Sequence, residues 1–79
     1  MPIEFMDTLD KFLNQDRIQI KKIICVEKFC RRLGELGLYV GAEIEIIKND
    51  NFSPLILKIF DSHIALGRIE AQKIYGTKI

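Results

Sequence analysis

Residues 31–48 read RRLGELGLYVGAEIEIIK, and this stretch decides the fold. It holds the end of an amphipathic helix, a glycine stop, a second glycine turn and a half-buried strand. The helical pattern begins upstream. Val26, Phe29, Cys30, Leu33 and Leu36 recur at i, i+3, i+4, i+7 and i+10, which places them on one face at the 3.6-residue period. Gly37 stands where a helix ends in a left-handed residue, a conformation that costs glycine nothing. Gly41 marks the entry to the next element. Glu43, Ile44, Glu45 and Ile46 then alternate polar and apolar, the period of a strand with one wet face.

Outward from this stretch, the chain is punctuated by turns. Met6 to Leu13 predicts a short helix with Thr8 as its N-cap. Asn14-Gln15-Asp16 is a turn. Residues 17–25 alternate at first and are rich in isoleucine, which predicts a strand ending near Val26, followed by a helix over 26–36. A strand over 42–48 is followed by Asn49-Asp50-Asn51, a turn signal. Pro54 precedes a strand over 55–60, Asp61-Ser62-His63 is expected as a hairpin turn, and 64–67 is a short strand. One helical turn over 68–73 and a closing strand over 74–79 complete the chain.

This order predicts a mainly β fold of about five short strands with one or two short helices. So few residues cannot build a two-sheet sandwich. A small, strongly bent barrel buries one face of the strands and removes most free edges. The 79 residues are read as one domain, 1–79, near the lower size limit for folding without a disulfide or metal. An apolar fraction of 48% supplies a core. No signal peptide or membrane span is legible, so a cytoplasmic protein is expected, meeting a membrane only through a partner.

The formal net charge is only +1, but residues 17–32 carry six basic side chains against Glu27 alone. Such a segment can steer toward phosphate or an acidic partner. Its simpler reading is the solvated faces of a strand and a helix. Cys25 and Cys30 are neither a CxxC nor a zinc-finger pair, and His63 is the only histidine. The two cysteines are read as small buried hydrophobes; a Cys25, Cys30 and His63 metal site is the rival reading. Catalysis is not expected. No base with an orienting group is visible, and Gly34, Gly37 and Gly41 match no phosphate-binding loop. Nucleic-acid binding is not expected either, because most aromatics fall on core positions and only Phe52 is placed in the open.

These residues together resemble the FeoA family of small ferrous-iron transport accessory proteins. The resemblance rests on Arg31-Arg32-Leu33, Leu36-Gly37-Leu38, Gly41, the Ile44–Ile47 strand, Pro54, Ala65-Leu66 and Ala71 with Ile74, and on Thr8-Leu9 ahead of the first long strand. It covers nearly the whole chain; Met1 to Phe5 extend beyond it. It implies an SH3-like barrel in its stand-alone form. It also implies a cytosolic partner of a FeoB-type membrane iron transporter carrying a GTPase domain. The same domain type occurs at the C-terminus of metal-dependent repressors, so a metal-sensing or metal-binding domain is the alternative, and a nucleic-acid-binding barrel a third. No catalytic set or cofactor is implied, although a divalent ion such as iron(II) and weak self-association stay open.

Partner-binding residues are expected at two surfaces. Phe52 and Leu55, in and after the loop 49–54, are the expected apolar anchors. Arg31 and Arg32, on the basic edge of the helix, are the expected charges facing an acidic patch. Because the core is apolar and no structural zinc set is legible, the domain should fold without metal. A chelator should leave its circular dichroism and melting temperature unchanged; chelator-induced unfolding would make Cys25, Cys30 and His63 ligands.

Overall fold

A computed structural model describes residues 6–24 and 27–79, apart from the side chains of Glu27, Phe29 and Cys30. The expectations for Met1 to Phe5, for Cys25 and Val26, and for the packing of Phe29 and Cys30 lie outside the described residues.

Six strands form one antiparallel sheet. They are β1 (Asp7–Thr8), β2 (Arg17–Ile23), β3 (Glu43–Lys48), β4 (Leu55–Ile59), β5 (Ser62–Leu66) and β6 (Ile74–Lys78), in the spatial order β1-β6-β2-β3-β4-β5. A helix α1 (Glu27–Leu36) joins β2 to β3, and a single turn α2 (Arg68–Ala71) joins β5 to β6. The expected mainly β architecture is therefore the observed one, with β1 as an added strand.

Alternation puts one face of each strand inward. Ile18 and Ile20 of β2, Ile44 and Ile46 of β3, and Leu55, Leu57 and Ile59 of β4 are buried, while Arg17, Glu43 and Lys58 are exposed. Two register shifts bend the sheet around that core. One lies in β2 between Ile20 and Lys22 against β6, the other in β3 between Ile46 and Lys48 against β4. Each sets an extra residue on one strand, which raises local twist and curls the sheet. Bonding continues past the strand ends: the Ile20 N–H donates to Ala42 O at 2.8 Å and the Gly41 N–H to Ile20 O at 2.7 Å.

Strand β2 joins the two halves of the sheet, pairing with β3 over residues 17–19 and with β6 over 18–23. The approach of β6 to β2 is closest at Gly76, opposite Ile20. A Cβ added there would collide with Ile18 Cγ2 and lie 2.8 Å from the Gln19 carbonyl oxygen. The second neighbour is backbone and cannot step aside.

Helix α1 ends as the sequence predicts. The Leu38 N–H donates to Leu33 O at 2.9 Å and the Gly37 N–H to Gly34 O at 3.1 Å, with Gly37 at φ 91°. This is a Schellman closure, and its characteristic apolar contact is supplied by Leu33 and Leu38, both in the core. Leu36 lies at the margin of the expected apolar face, 36% exposed.

Two local expectations are corrected. Residues 6–13 do not form an α-helix. Asp7 and Thr8 pair with Gly76 and Tyr75 of β6, and only Leu9–Lys11 coil, as a 3-10 turn. Asn49 accounts for the early stop: its side-chain amide donates to the carbonyls of Asp10 and Phe12 at 2.9 and 2.7 Å. The β4–β5 turn is not Asp61-Ser62-His63 but the two-residue loop Phe60-Asp61, so His63 lies in β5 opposite Lys58. That register holds Leu57 against Ile64 and Leu55 against Leu66, keeping the apolar set inward. The two ends of the sheet are β1 and β5.

Leu33→Ala should destabilise by about 2–5 kcal/mol in denaturant unfolding, through a cavity beneath α1. Gly37→Val should also be costly, since a β-branched residue is disfavoured at positive φ. Gly76→Ala should cost about 1–3 kcal/mol by overpacking, although alanine for glycine in an unconstrained strand stabilises. A neutral Gly76→Ala would show that β6 and β2 are farther apart than described.

Candidate protein-binding surface

The loop between β3 and β4 is held from within by Asp50. Its Oδ1 accepts from the Phe52 and Ser53 N–H groups, both at 2.9 Å, and its Oδ2 accepts from Ser53 Oγ at 2.7 Å. Lys48 Nζ adds a solvated ion pair at 3.7 Å. Hydrogen bonds from the Ser53 hydroxyl, and then from the Ser53 and Phe52 backbone, hold the Asp50 carboxyl well below the usual carboxylate range. The positive φ of 69° falls on Asn51, a residue type that tolerates it.

The same loop is tied to its surroundings through Asn49 and by Arg68. Asn49 Oδ1 accepts from Arg68 Nη1 at 3.0 Å, while its backbone N–H donates to Asn14 Oδ1 at 2.7 Å. Arg68 Nη1 also donates to Ser53 O at 3.1 Å, and Nη2 reaches Asp10 O at 3.4 Å. One guanidinium thus ties the start of α2, the loop and the 3-10 turn together. A planar fork with five donors suits this task better than an ammonium.

These bonds fix the backbone under Phe52, whose ring is 92% exposed. A large apolar side chain held out on a rigid loop loses little entropy on docking. On α2, Ile69 is 72% exposed, between Arg68, which grips the loop, and Glu70. Glu70 Oε1 accepts from the Gly67 N–H at 3.2 Å, and Oε2 pairs with Arg32 Nη1 at 3.6 Å. Arg31, on the same helix, is exposed. The single turn α2 therefore links the basic edge of α1 to the loop bearing Phe52.

Of the four residues expected at a partner surface, Arg31, Arg32 and Phe52 are accessible and Leu55 is not. Leu55 is completely buried as the first inward residue of β4, opposite Leu66, and its role is in the core. Ile69 on α2 is instead an exposed apolar residue. Its signal in the sequence was weak, because a four-residue helical turn has too few positions to show a face.

A second surface escaped the sequence reading. An open groove of about 580 Å³ is lined by Tyr39 and Phe60, with Arg17, Glu43, Glu45 and Lys58 among its polar lining. Arg17, Glu45 and Lys58 stand in one cross-strand row over β2, β3 and β4, and Arg17 Nη2 lies 3.8 Å from Glu43 Oε1. Phe60 is in the hairpin turn at φ 54° and 75% exposed, not in a strand. Positive φ is unusual for a bulky side chain, so nothing in the local residues marks it as a turn position.

Among the described residues no group of three or more histidine, cysteine or acidic side chains converges to hold a metal. His63 is exposed on β5; Cys25 and the Cys30 side chain lie outside the description. No helix among the described residues is long and apolar enough to cross a membrane.

The fold recurs in solved structures. A crystal structure of an iron uptake regulatory protein, FeoA, superposes with a TM-score of 0.85 at 20% identity, covering 95% of this chain and 99% of that one. The solution structure of iron(II) transport protein A from Clostridium thermocellum gives a TM-score of 0.85 at 25% identity, covering 91% of this chain and 45% of that one. A manganese-dependent transcriptional repressor gives 0.88 at 16% identity, with all of this chain matched to 45% of the repressor. No protein of curated function matches the sequence significantly. The FeoA domain pattern matches residues 8–78, spanning every element from Thr8 to the end of β6, and the chain belongs to the FeoA family.

Proposed function

We propose that this protein is a non-enzymatic cytosolic accessory factor of ferrous iron uptake that acts by binding the cytosolic region of a FeoB-type GTPase transporter. Membership of the FeoA family supports the process. The observation that carries a binding mechanism is the loop 49–53, whose own hydrogen bonds and the Arg68 clasp spend polar groups on presenting Phe52 to solvent. A loop serving only to connect β3 to β4 needs no exposed phenylalanine. Ile69 extends the apolar contact, and Arg31 and Arg32 border it with positive charge. Such an arrangement suits an apolar patch with an acidic rim on the partner.

Phe52→Ala should weaken binding to a FeoB-type cytosolic region by on the order of 2 kcal/mol, the scale of a buried aromatic anchor, with the melting temperature unchanged. Changing Arg31 and Arg32 to Glu should also weaken it. Added salt should do the same, since exposed charges are screened over about 8 Å at physiological ionic strength. Because a glutamate at position 32 would face Glu70, Arg31→Glu alone is the cleaner variant. Calorimetric titration measures each. Unchanged binding in all three would move the interface elsewhere. Tight binding of an RNA or DNA oligonucleotide, lost in the double variant and without transporter binding, would replace this reading with a nucleic-acid-binding barrel.

A further inference from the structure

Helix α1 and the single turn α2 are joined through one carboxylate. Glu70 Oε1 accepts from the Gly67 N–H at 3.2 Å, which closes the first turn of α2, while Oε2 faces Arg32 Nη1 at 3.6 Å. The two members of this ion pair are unequally held. The Glu70 side chain is 27% exposed and is fixed by its bond to Gly67, whereas the Arg32 side chain is 67% exposed. At 3.6 Å the guanidinium lies beyond ordinary hydrogen-bond reach of the carboxylate. The contact therefore compensates charge without setting the direction in which the guanidinium points.

Arg31 offers a comparison one residue away. It is exposed and has no carboxylate partner among the described residues. Of the two adjacent arginines at the proposed binding surface, one is uncompensated and the other already faces an acid of its own chain.

We infer that Glu70 is an internal stand-in for a partner's carboxylate: it masks Arg32 in the free protein, and an acidic partner must displace it to use that charge. This rests on the reading of Arg31 and Arg32 as charges that face an acidic rim, and it adds a regulating group to that surface. A partner acid that reaches Arg32 exchanges one ion pair for another, so its net gain is only the difference between them. A partner acid at Arg31 gains a whole pair. A carboxylate that merely comes near Arg32 gains little, while one that meets the guanidinium with two parallel hydrogen bonds outcompetes the single long contact to Glu70. The mask thus selects by geometry rather than by net charge alone. Displacement leaves α2 closed, because the bond to Gly67 uses the other oxygen of Glu70.

The effect is small by nature. Ion pairs this open to solvent contribute little, so full unmasking tightens binding by about two- to five-fold.

Glu70→Gln is the test, because a glutamine oxygen still accepts from Gly67 while the charge is gone. Calorimetric titration compares wild type, Glu70→Gln, and the same change made in Arg32→Ala and in Arg31→Ala proteins. The probes are the cytosolic region of a FeoB-type transporter and, separately, hexaglutamate at low salt as a bare carboxylate ligand. Glu70→Gln should bind about two- to five-fold more tightly than wild type, a gain that loss of structure cannot produce. The gain should vanish in Arg32→Ala and persist in Arg31→Ala. A gain that survives Arg32→Ala comes from net charge alone and overturns the proposal, as does equal or weaker transporter binding by Glu70→Gln. That second result leaves the transporter reading standing wherever Phe52→Ala still weakens the complex. If the transporter region does not bind at all, that reading fails and the hexaglutamate titration alone decides the mask. Binding of neither probe overturns both.

Discussion

The close passage of β6 across β2 at Gly76 is the constraint on which the rest of the molecule depends. Strand β2 alone connects the β1–β6 half of the sheet to the β3–β5 half. The absent side chain at Gly76 lets the two backbones approach, and the bulge at Lys21 turns β2 so that it can serve both neighbours. With that crossing in place, inward residues of both halves meet in one core. A domain of this size has little apolar area to spare, so a cavity or clash here is felt throughout.

From that core the path to the proposed binding surface is short and polar. β6 anchors β1, and β1 fixes where the 3-10 turn begins. The carbonyls of that turn are taken by Asn49 and Arg68, which in turn hold the loop carrying Phe52. Almost all of these bonds run between a side chain and backbone, and they tie together segments that are distant in sequence. The surface is consequently a product of the fold as a whole, and neither α2 nor the loop would keep its shape alone.

Much of this was legible in the sequence where local chemistry decides the outcome. The glycine stop at Gly37, the alternation of β3 and the buried Leu33 follow from periodicity and backbone stereochemistry. The FeoA resemblance rested on the same residues. The failures have two causes. Residues 6–13 carry a helical pattern, but pairing of Asp7 and Thr8 with β6 and capture of two carbonyls by Asn49 override it. Leu55 follows a loop in sequence, yet strand alternation places it fully inside. Phe60 looked like a strand residue because its positive φ is imposed by the register of β4 and β5. For residues 6–13 a long-range contact won over a local preference, and no such contact can be read from a window of residues; Leu55 and Phe60 instead turn on where β4 begins and ends.

Two exposed surfaces are candidates for the proposed partner: Phe52, Ile69 and Arg31 around α2, and the Tyr39 and Phe60 groove. The first is favoured because its backbone is held by a dedicated set of hydrogen bonds. The groove's charges already face one another in a cross-strand row. The most direct measurement is an NMR titration of isotope-labelled protein with the cytosolic region of a FeoB-type transporter, following every backbone amide. The account predicts that the largest shift changes centre on residues 50–53, Ile69, and Arg31 and Arg32, with the amides of Tyr39, Glu43 and Phe60 unmoved. Changes confined to the Tyr39 and Phe60 groove, or none at saturating transporter, would contradict it.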